Sequence, residues 1–176
     1  MVLGVRLIKN LKTCFRSKLP ELKLLVVGDG ELKKDLISLS KNLNIEDDII
    51  FTGYRDDMPD IMMAIDIFVH PSLWEGFGMV FLEAMASGKP VVATNISAIP
   101  EIVVNEKTGI LGPSKDSYSL AYGILKLIYD RDLAKMMGEA GKERVISYFS
   151  LERMVNMIEN LYYEIEAFPS TFPQKD

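Results

Sequence analysis

The sequence predicts an α/β fold, a Rossmann-like doubly wound parallel sheet. Three observations carry that prediction: short apolar runs of strand length, stretches of helical periodicity between them, and glycines or prolines at the junctions. A run such as Leu22 to Val27, apolar at nearly every position and stopped by Gly28-Asp29-Gly30, suits a strand buried on both faces, as parallel strands are.

Taken in order, the chain opens on a helix, with Val5, Leu7, Ile8, Leu11 and Phe15 at helical spacing and Pro20 as its stop. After the strand at Leu22 to Val27, Glu31 to Leu43 places Leu32, Leu36, Leu39 and Leu43 on one helical face. Ile49 to Thr52 is a strand, Met58 to Ala64 a short helix with Pro59 in its first turn, and Ile67 to His70 another strand. Phe77 to Ser87 is apolar on nearly every side and ends at Gly88, which predicts a buried helix beneath a ligand cleft. Pro90 to Thr94 and Gly109 to Leu111 complete the strands. Tyr118 to Tyr129, Asp132 to Tyr148 and Ser150 to Ala167 are three amphipathic helices.

A chain of 176 residues that is 48% hydrophobic fills one globular core. No repeat, low-complexity tract or linker divides it, so one domain over 1–167 with a flexible tail over 168–176 is expected. The net charge is -5 and the basic residues are scattered, which argues against nucleic acid or an anionic membrane as partner. Cys14 and His70 are the only residues of their kinds, which excludes disulfide frameworks, Cys/His zinc clusters and Cys-His catalytic pairs. No apolar segment is long enough to span a membrane or to serve as a signal peptide, and a cytoplasmic setting is expected.

The chemistry concentrates between Pro71 and Pro90. Glu75 lies in a strand-to-helix loop, and Glu83, seven intervening residues later, is the only charge between Met79 and Ser87. Burial of an unpaired carboxylate costs several kcal/mol, roughly, so Glu83 on an apolar helix is expected to meet strong donors such as sugar hydroxyls. The loop Glu75-Gly76-Phe77-Gly78 precedes that helix. Its glycines permit close backbone approach, and the unpaired first-turn amides behind it attract phosphate. In open α/β sheets ligands bind beyond the carboxyl ends of strands, and this loop follows the strand ending at His70.

This constellation resembles the donor-site motif of glycosyltransferase family four, in the C-terminal, donor-binding half of the GT-B fold, whose members pair two glutamates at this spacing. Leu25-Val26-Val27-Gly28-Asp29-Gly30, Phe51-Thr52-Gly53-Tyr54, Asp66-Ile67-Phe68-Val69, Pro90-Val91-Val92-Ala93-Thr94 and Pro100-Glu101-Ile102-Val103 resemble further family segments, in family order. The resemblance implies retaining transfer of a hexose from a nucleotide-diphosphate sugar, with that donor as substrate and neither a metal nor a further cofactor. It assigns the catalytic position to Glu75, against the donor sugar, and the ribose hydroxyls to Glu83. The amides of Gly76, Phe77, Gly78, Met79 and Val80 would hold sugar and diphosphate, and the Gly53-Tyr54 turn would lie against the nucleobase.

By the same resemblance, a strand and a loop bearing an Arg and a Lys for the diphosphate precede the helix that begins near Val5, and the chain is expected to lack them. That strand belongs between the strands at Leu22 to Val27 and Ile67 to His70, so either these pair directly or something else fills the gap. An N-terminal acceptor-binding domain is expected on another or a longer chain, and transfer by this chain alone is not expected. The alternatives are a non-catalytic nucleotide-sugar-binding subunit of a split enzyme and an inactive fragment.

Other residues invite plainer assignments. Gly28-Asp29-Gly30 is expected to be a turn rather than a dinucleotide fingerprint, since Lys33 replaces the third glycine. Arg55 and Lys89 are expected at the solvated surface rather than on a diphosphate. Trp74 and Phe77 are expected in the core rather than walling a sugar site, and the methionines are core filler. His70, without a visible acidic partner in the sequence, is open between a sugar contact and a satisfied strand end.

Overall fold

A computed structural model describes residue 19 and residues 21–167 of the chain. The helix expected over Val5 to Phe15 and the tail expected over 168–176 lie outside the described residues. The elements are β1 (Leu24–Val27), α1 (Lys33–Asn42), a 3-10 turn (Glu46–Asp48), β2 (Ile49–Gly53), α2 (Met58–Ala64), β3 (Phe68–His70), α3 (Met79–Ala86), β4 (Val91–Thr94), α4 (Ile99–Ile102), β5 (Gly109–Gly112), α5 (Ser117–Tyr129), α6 (Arg131–Tyr148) and α7 (Leu151–Ala167). Every strand expected within the described residues is present. The 3-10 turn and α4 add to the sequence-based set because neither is long enough to show a helical period.

All strand pairs are parallel, and they form two pieces. β1 pairs with β2 through Leu24 opposite Ile49, and β3, β4 and β5 form the second piece with Val69 opposite Val92 and Val92 opposite Ile110. Strands alternating with helices on parallel sheets make this the Rossmann-like α/β fold. Among the described residues β1 and β3 do not pair directly, and each is half-buried along its whole length.

One core nevertheless spans both pieces. Ile45 and Ile49 beside the first piece share a buried cluster with Val92, Ile110, Leu120, Leu127 and Met137, and Leu24, Val26 and Val69 lean on it. Val91 and Ala93 point the other way, into a second cluster with Phe81, Met85, Ile99, Ile102 and Val103. Alternation along β4 therefore feeds both layers, and all four of its residues are buried, as a central parallel strand requires. On the second face α6 crosses the end of α3 through glycines: a Cβ on Gly138 would lie 2.1 Å from the Gly88 carbonyl oxygen.

Helix α7 departs from this packing. Leu151, Met154, Val155, Ile158, Leu161, Tyr162 and Ile165 recur at helical spacing on it and are all exposed. No helix among the described residues is long and apolar enough to cross a membrane.

Candidate functional site

The loop after β3 is tied down from three sides. Thr94, at the carboxyl end of β4, donates its hydroxyl to the Ser72 carbonyl oxygen at 2.6 Å, so the neighbouring strand anchors the loop's first turn. His70, the last residue of β3, places Nε2 2.9 Å from Glu75 Oε2 and 3.1 Å from Ser72 Oγ. Its ring is stacked on Phe68 at 5.9 Å and meets the edge-on Phe81 ring at 5.0 Å, which leaves the imidazole little freedom. Sequence reading missed this role for His70, because Glu75 reaches it only when the loop doubles back.

Gly78 then opens α3. It holds φ +80° in the left-handed region, and its carbonyl accepts from the Phe81 amide at 3.0 Å. A Cβ here would come 2.7 Å from Phe81 Cδ2 and 3.1 Å from Glu75 Cγ, so the glycine is what lets the Glu75 side chain lie against the start of the helix. The Met79 and Val80 amides, in the first turn, have no intrahelical acceptor, and the helix dipole adds partial positive charge at this end. A carboxylate and an anion-attracting helix end thus occupy one loop, beyond the carboxyl end of β3.

Glu83 corrects the sequence-based expectation. The helix is not buried all round: Phe81, Ala84 and Met85 face inward, while Met79, Glu83 and Ala86 are exposed. The Glu83 side chain is exposed and makes no hydrogen bond or ion pair among the described residues, while its backbone carbonyl accepts from the Ser87 amide at 3.1 Å. The argument from burial cost therefore does not apply to it. Trp74 and Phe77 are likewise exposed rather than core, at 78% and 45%, and with Leu73 and Met79 they form an apolar rim around the loop.

The Gly53-Tyr54 turn lies at the carboxyl end of β2, in the other sheet piece. Gly53 is buried at φ +71°, its carbonyl accepts from the Gly28 amide at 2.8 Å, and Tyr54 is 81% exposed. Beside it Lys33 Nζ is 3.1 Å from Asp29 Oδ2, while Asp29 also accepts from the Gly30 amide. That amide, and then Lys33, hold the Asp29 carboxyl below its ordinary range. Gly28 bridges Gly53, and the turn itself falls just after, over Glu31 and Leu32, where the Lys33 amide donates to the Gly30 carbonyl oxygen at 3.1 Å.

Arg55 and Lys89 stay away from this loop's chemistry. Arg55 is paired with Asp57, which raises its affinity for the proton, and Lys89 donates to the Met63 carbonyl oxygen at 3.2 Å. Two cavities of about 190 and 330 Å³ lie elsewhere, one between Asp66, Lys89 and Arg131, the other between Thr108, Arg144 and Tyr148. Neither holds a glutamate of the pair. Among the described residues the Glu75 loop is an open shelf, with Leu73, Trp74, Phe77 and Met79 exposed along it.

A glycine loop, a helix start and a carboxylate beyond a strand's carboxyl end lie where open parallel α/β sheets of the Rossmann type hold their ligands. The chain belongs to the glycosyl transferases group 1 family, whose model matches residues 5–144. It is 37% identical over 143 residues to the N-acetyl-alpha-D-glucosaminyl L-malate synthase of Bacillus anthracis, covering 81% of this chain and 38% of that protein. It is 32% identical over 148 residues to an Escherichia coli UDP-Gal:alpha-D-GlcNAc-diphosphoundecaprenol alpha-1,3-galactosyltransferase, covering 84% of this chain and again 38% of the relative.

Among solved structures, Anabaena Alr3699/HepE in complex with UDP superposes with a TM-score of 0.83 at 28% identity, over 92% of this chain and 44% of that one. The C-terminal domain of the group 1 glycosyl transferase LpcC from Francisella tularensis superposes with a TM-score of 0.77 at 30% identity, over 84% of this chain and 80% of that domain. The chain thus spans about two fifths of the relatives it matches and corresponds to the C-terminal domain of a GT-B glycosyltransferase.

Proposed function

We propose that this chain binds the nucleotide-diphosphate sugar of a retaining hexosyl transfer, with the Glu75 loop as the donor site. The observation that carries the proposal is the Glu75 carboxylate held by His70 against the start of α3, beside first-turn amides with no intrahelical acceptor. In such a transfer the bond from the anomeric carbon to the diphosphate oxygen breaks, and the new bond to the acceptor oxygen forms on the same face of the sugar. Negative charge then grows on the diphosphate, and amides at Gly78, Met79 and Val80 with the helix dipole are placed to stabilise it.

Glu75 takes the sugar hydroxyls, because its second oxygen remains free to accept while His70 occupies the first. Glu83, solvated on the outer face of α3, accepts from the ribose hydroxyls, and the Gly53-Tyr54 turn borders the base. The solvent-facing side of the shelf is where an acceptor-binding domain, on another or a longer chain, closes over the donor. The chain's coverage of 38% of its relatives favours that arrangement, either as one region of a whole enzyme or as the donor-binding subunit of a split one.

Titration calorimetry of the chain with UDP, GDP and their hexose conjugates tests the proposal. Binding of one nucleotide series supports it, and no binding to folded protein overturns it. Restored transfer on mixing with an N-terminal region from a relative separates the split arrangement from an inert fragment.

A further inference from the structure

We infer that His70 is the positioning residue for Glu75, and that its Nε2–H, rather than its ring bulk, sets how tightly the site distinguishes a nucleotide sugar from the bare nucleotide. This rests on the donor-site proposal above and deepens it.

Glu75 sits in a glycine-flanked loop, and a glutamate has three side-chain torsions to lose before it can present one oxygen to a hydroxyl. Among the described residues its side-chain hydrogen-bond partner is His70, at 2.9 Å, with both side chains about three-quarters covered. The imidazole is in turn fixed by Phe68, Phe81 and the Ser72 hydroxyl, and the Ser72 carbonyl is pinned by Thr94. A chain of contacts therefore runs from the ends of β3 and β4 to one carboxylate oxygen. Nε2 faces both Glu75 and Ser72, so the ring cannot act as the base of a Ser–His–acid relay, which needs its two nitrogens to serve different partners. What remains for His70 is to hold Glu75 in one rotamer, leaving Oε1 presented.

Two substitutions separate the hydrogen bond from the packing. His70→Phe keeps an aromatic ring against Phe68 and Phe81 and removes the N–H. His70→Gln gives up the ring but returns an N–H donor at about the reach of Nε2. Calorimetry on the 176-residue chain compares UDP-glucose with UDP for wild type, both variants and Glu75→Ala. His70→Phe is expected to weaken the nucleotide sugar about tenfold, as loss of a charge-assisted hydrogen bond implies, and to leave UDP within about twofold. His70→Gln is expected to regain most of that loss, and His70→Phe added to Glu75→Ala to cost nothing further.

A ligand-free measurement stands beside these. His70 is the only histidine, so the imidazole ¹⁵N spectrum reports one ring, and Glu75→Ala must shift its Nε2 resonance. Wild-type affinity in His70→Phe, or loss in His70→Gln with recovery in His70→Phe, overturns the inference and assigns His70 to packing. An unmoved Nε2 resonance overturns it as well. If Glu75→Ala shifts that resonance as expected but the wild type binds no nucleotide, the pairing stands and the donor-site proposal falls.

Discussion

Gly78 lies directly over Glu75: a Cβ built on the glycine would come 3.1 Å from the Glu75 Cγ and 2.7 Å from Phe81 Cδ2. The residue also holds φ +80°, which an L side chain adopts at a cost of about 1–2 kcal/mol. Gly78→Ala therefore carries two penalties. One is in the backbone, and the other is a contact that must displace either the fully buried Phe81 or the Glu75 carboxylate. The expected outcome is a loss of about 2–4 kcal/mol of stability in urea unfolding, by the strain and overpacking scales together, with impaired nucleotide-sugar binding in the folded fraction. Gly76→Ala is the control. No atom lies within 4 Å of its Cβ and its φ is not left-handed, so stability should change by under about 0.5 kcal/mol.

The two glutamates should separate by ligand. Glu83 is solvated and faces away from Phe81 and Met85, so Glu83→Ala leaves folding intact and is expected to weaken both nucleoside diphosphate and nucleotide sugar, by about 10–100-fold. Glu75→Ala removes a contact that only the sugar makes, and should weaken the nucleotide sugar while sparing the nucleoside diphosphate. Parallel calorimetric titrations decide this, and equal losses with the plain diphosphate would contradict the division of roles.

Helix α6 is fitted to the end of α3 by glycine, and two neighbouring glycines on it predict opposite outcomes. At Gly138 a Cβ would lie 2.1 Å from the Gly88 carbonyl oxygen and 2.9 Å from its carbon, both backbone atoms that cannot turn aside. At Gly141 the nearest atom is Met85 Cγ at 3.4 Å, an ordinary contact with a flexible side chain. Gly138→Ala should cost about 2–4 kcal/mol despite the helix-propensity gain of about 1 kcal/mol, and Gly141→Ala should be neutral or stabilising by up to that gain. Urea midpoints of the two variants measure the difference.

Much of this architecture was legible in the residues. The strands announce themselves as apolar runs because both faces are buried, as Val91 to Thr94 are, and Met58 to Ala64 is marked by Pro59 at its start. The glycine loop and its position after β3 were legible for the same reason: φ at Gly78 and the strand-end rule are local properties. What periodicity could not give is direction. The apolar face of α3 that carries Met79 and the rim residues Trp74 and Phe77 have core-like side chains but face solvent, so composition assigned them inward. Likewise the His70–Glu75 pair spans a loop whose return path depends on Gly78 and on the Thr94–Ser72 hydrogen bond, neither of which spacing reveals. The separation of β1 from β3 is a matter of long-range pairing, which the residues of either strand do not encode locally.

The start of α5 offers a prediction in pH. Asp116 caps this helix, accepting from the Tyr118 and Ser119 amides at 3.0 and 3.1 Å and from the Ser119 hydroxyl. The Ser119 hydroxyl first, and then the Ser119 amide, lower its pKa in the folded state against the opposing effect of partial burial, and the Tyr118 amide adds least. A lowered folded pKa means that the unfolded chain takes up the proton first as pH falls. The stabilisation is therefore complete above the unfolded value and is lost as pH drops through the lower, folded one. Asp116→Asn keeps a capping oxygen but cannot ionise, so it removes the pH-dependent part alone. Urea midpoints for wild type and Asp116→Asn should differ most at neutral pH, in favour of wild type. The gap should close as pH falls through the ordinary aspartate range and below it, while the carboxylates common to both proteins cancel in the comparison. A gap that stays constant across that interval would mean that the charge of Asp116 does not contribute, and that the cap acts through geometry that Asn reproduces.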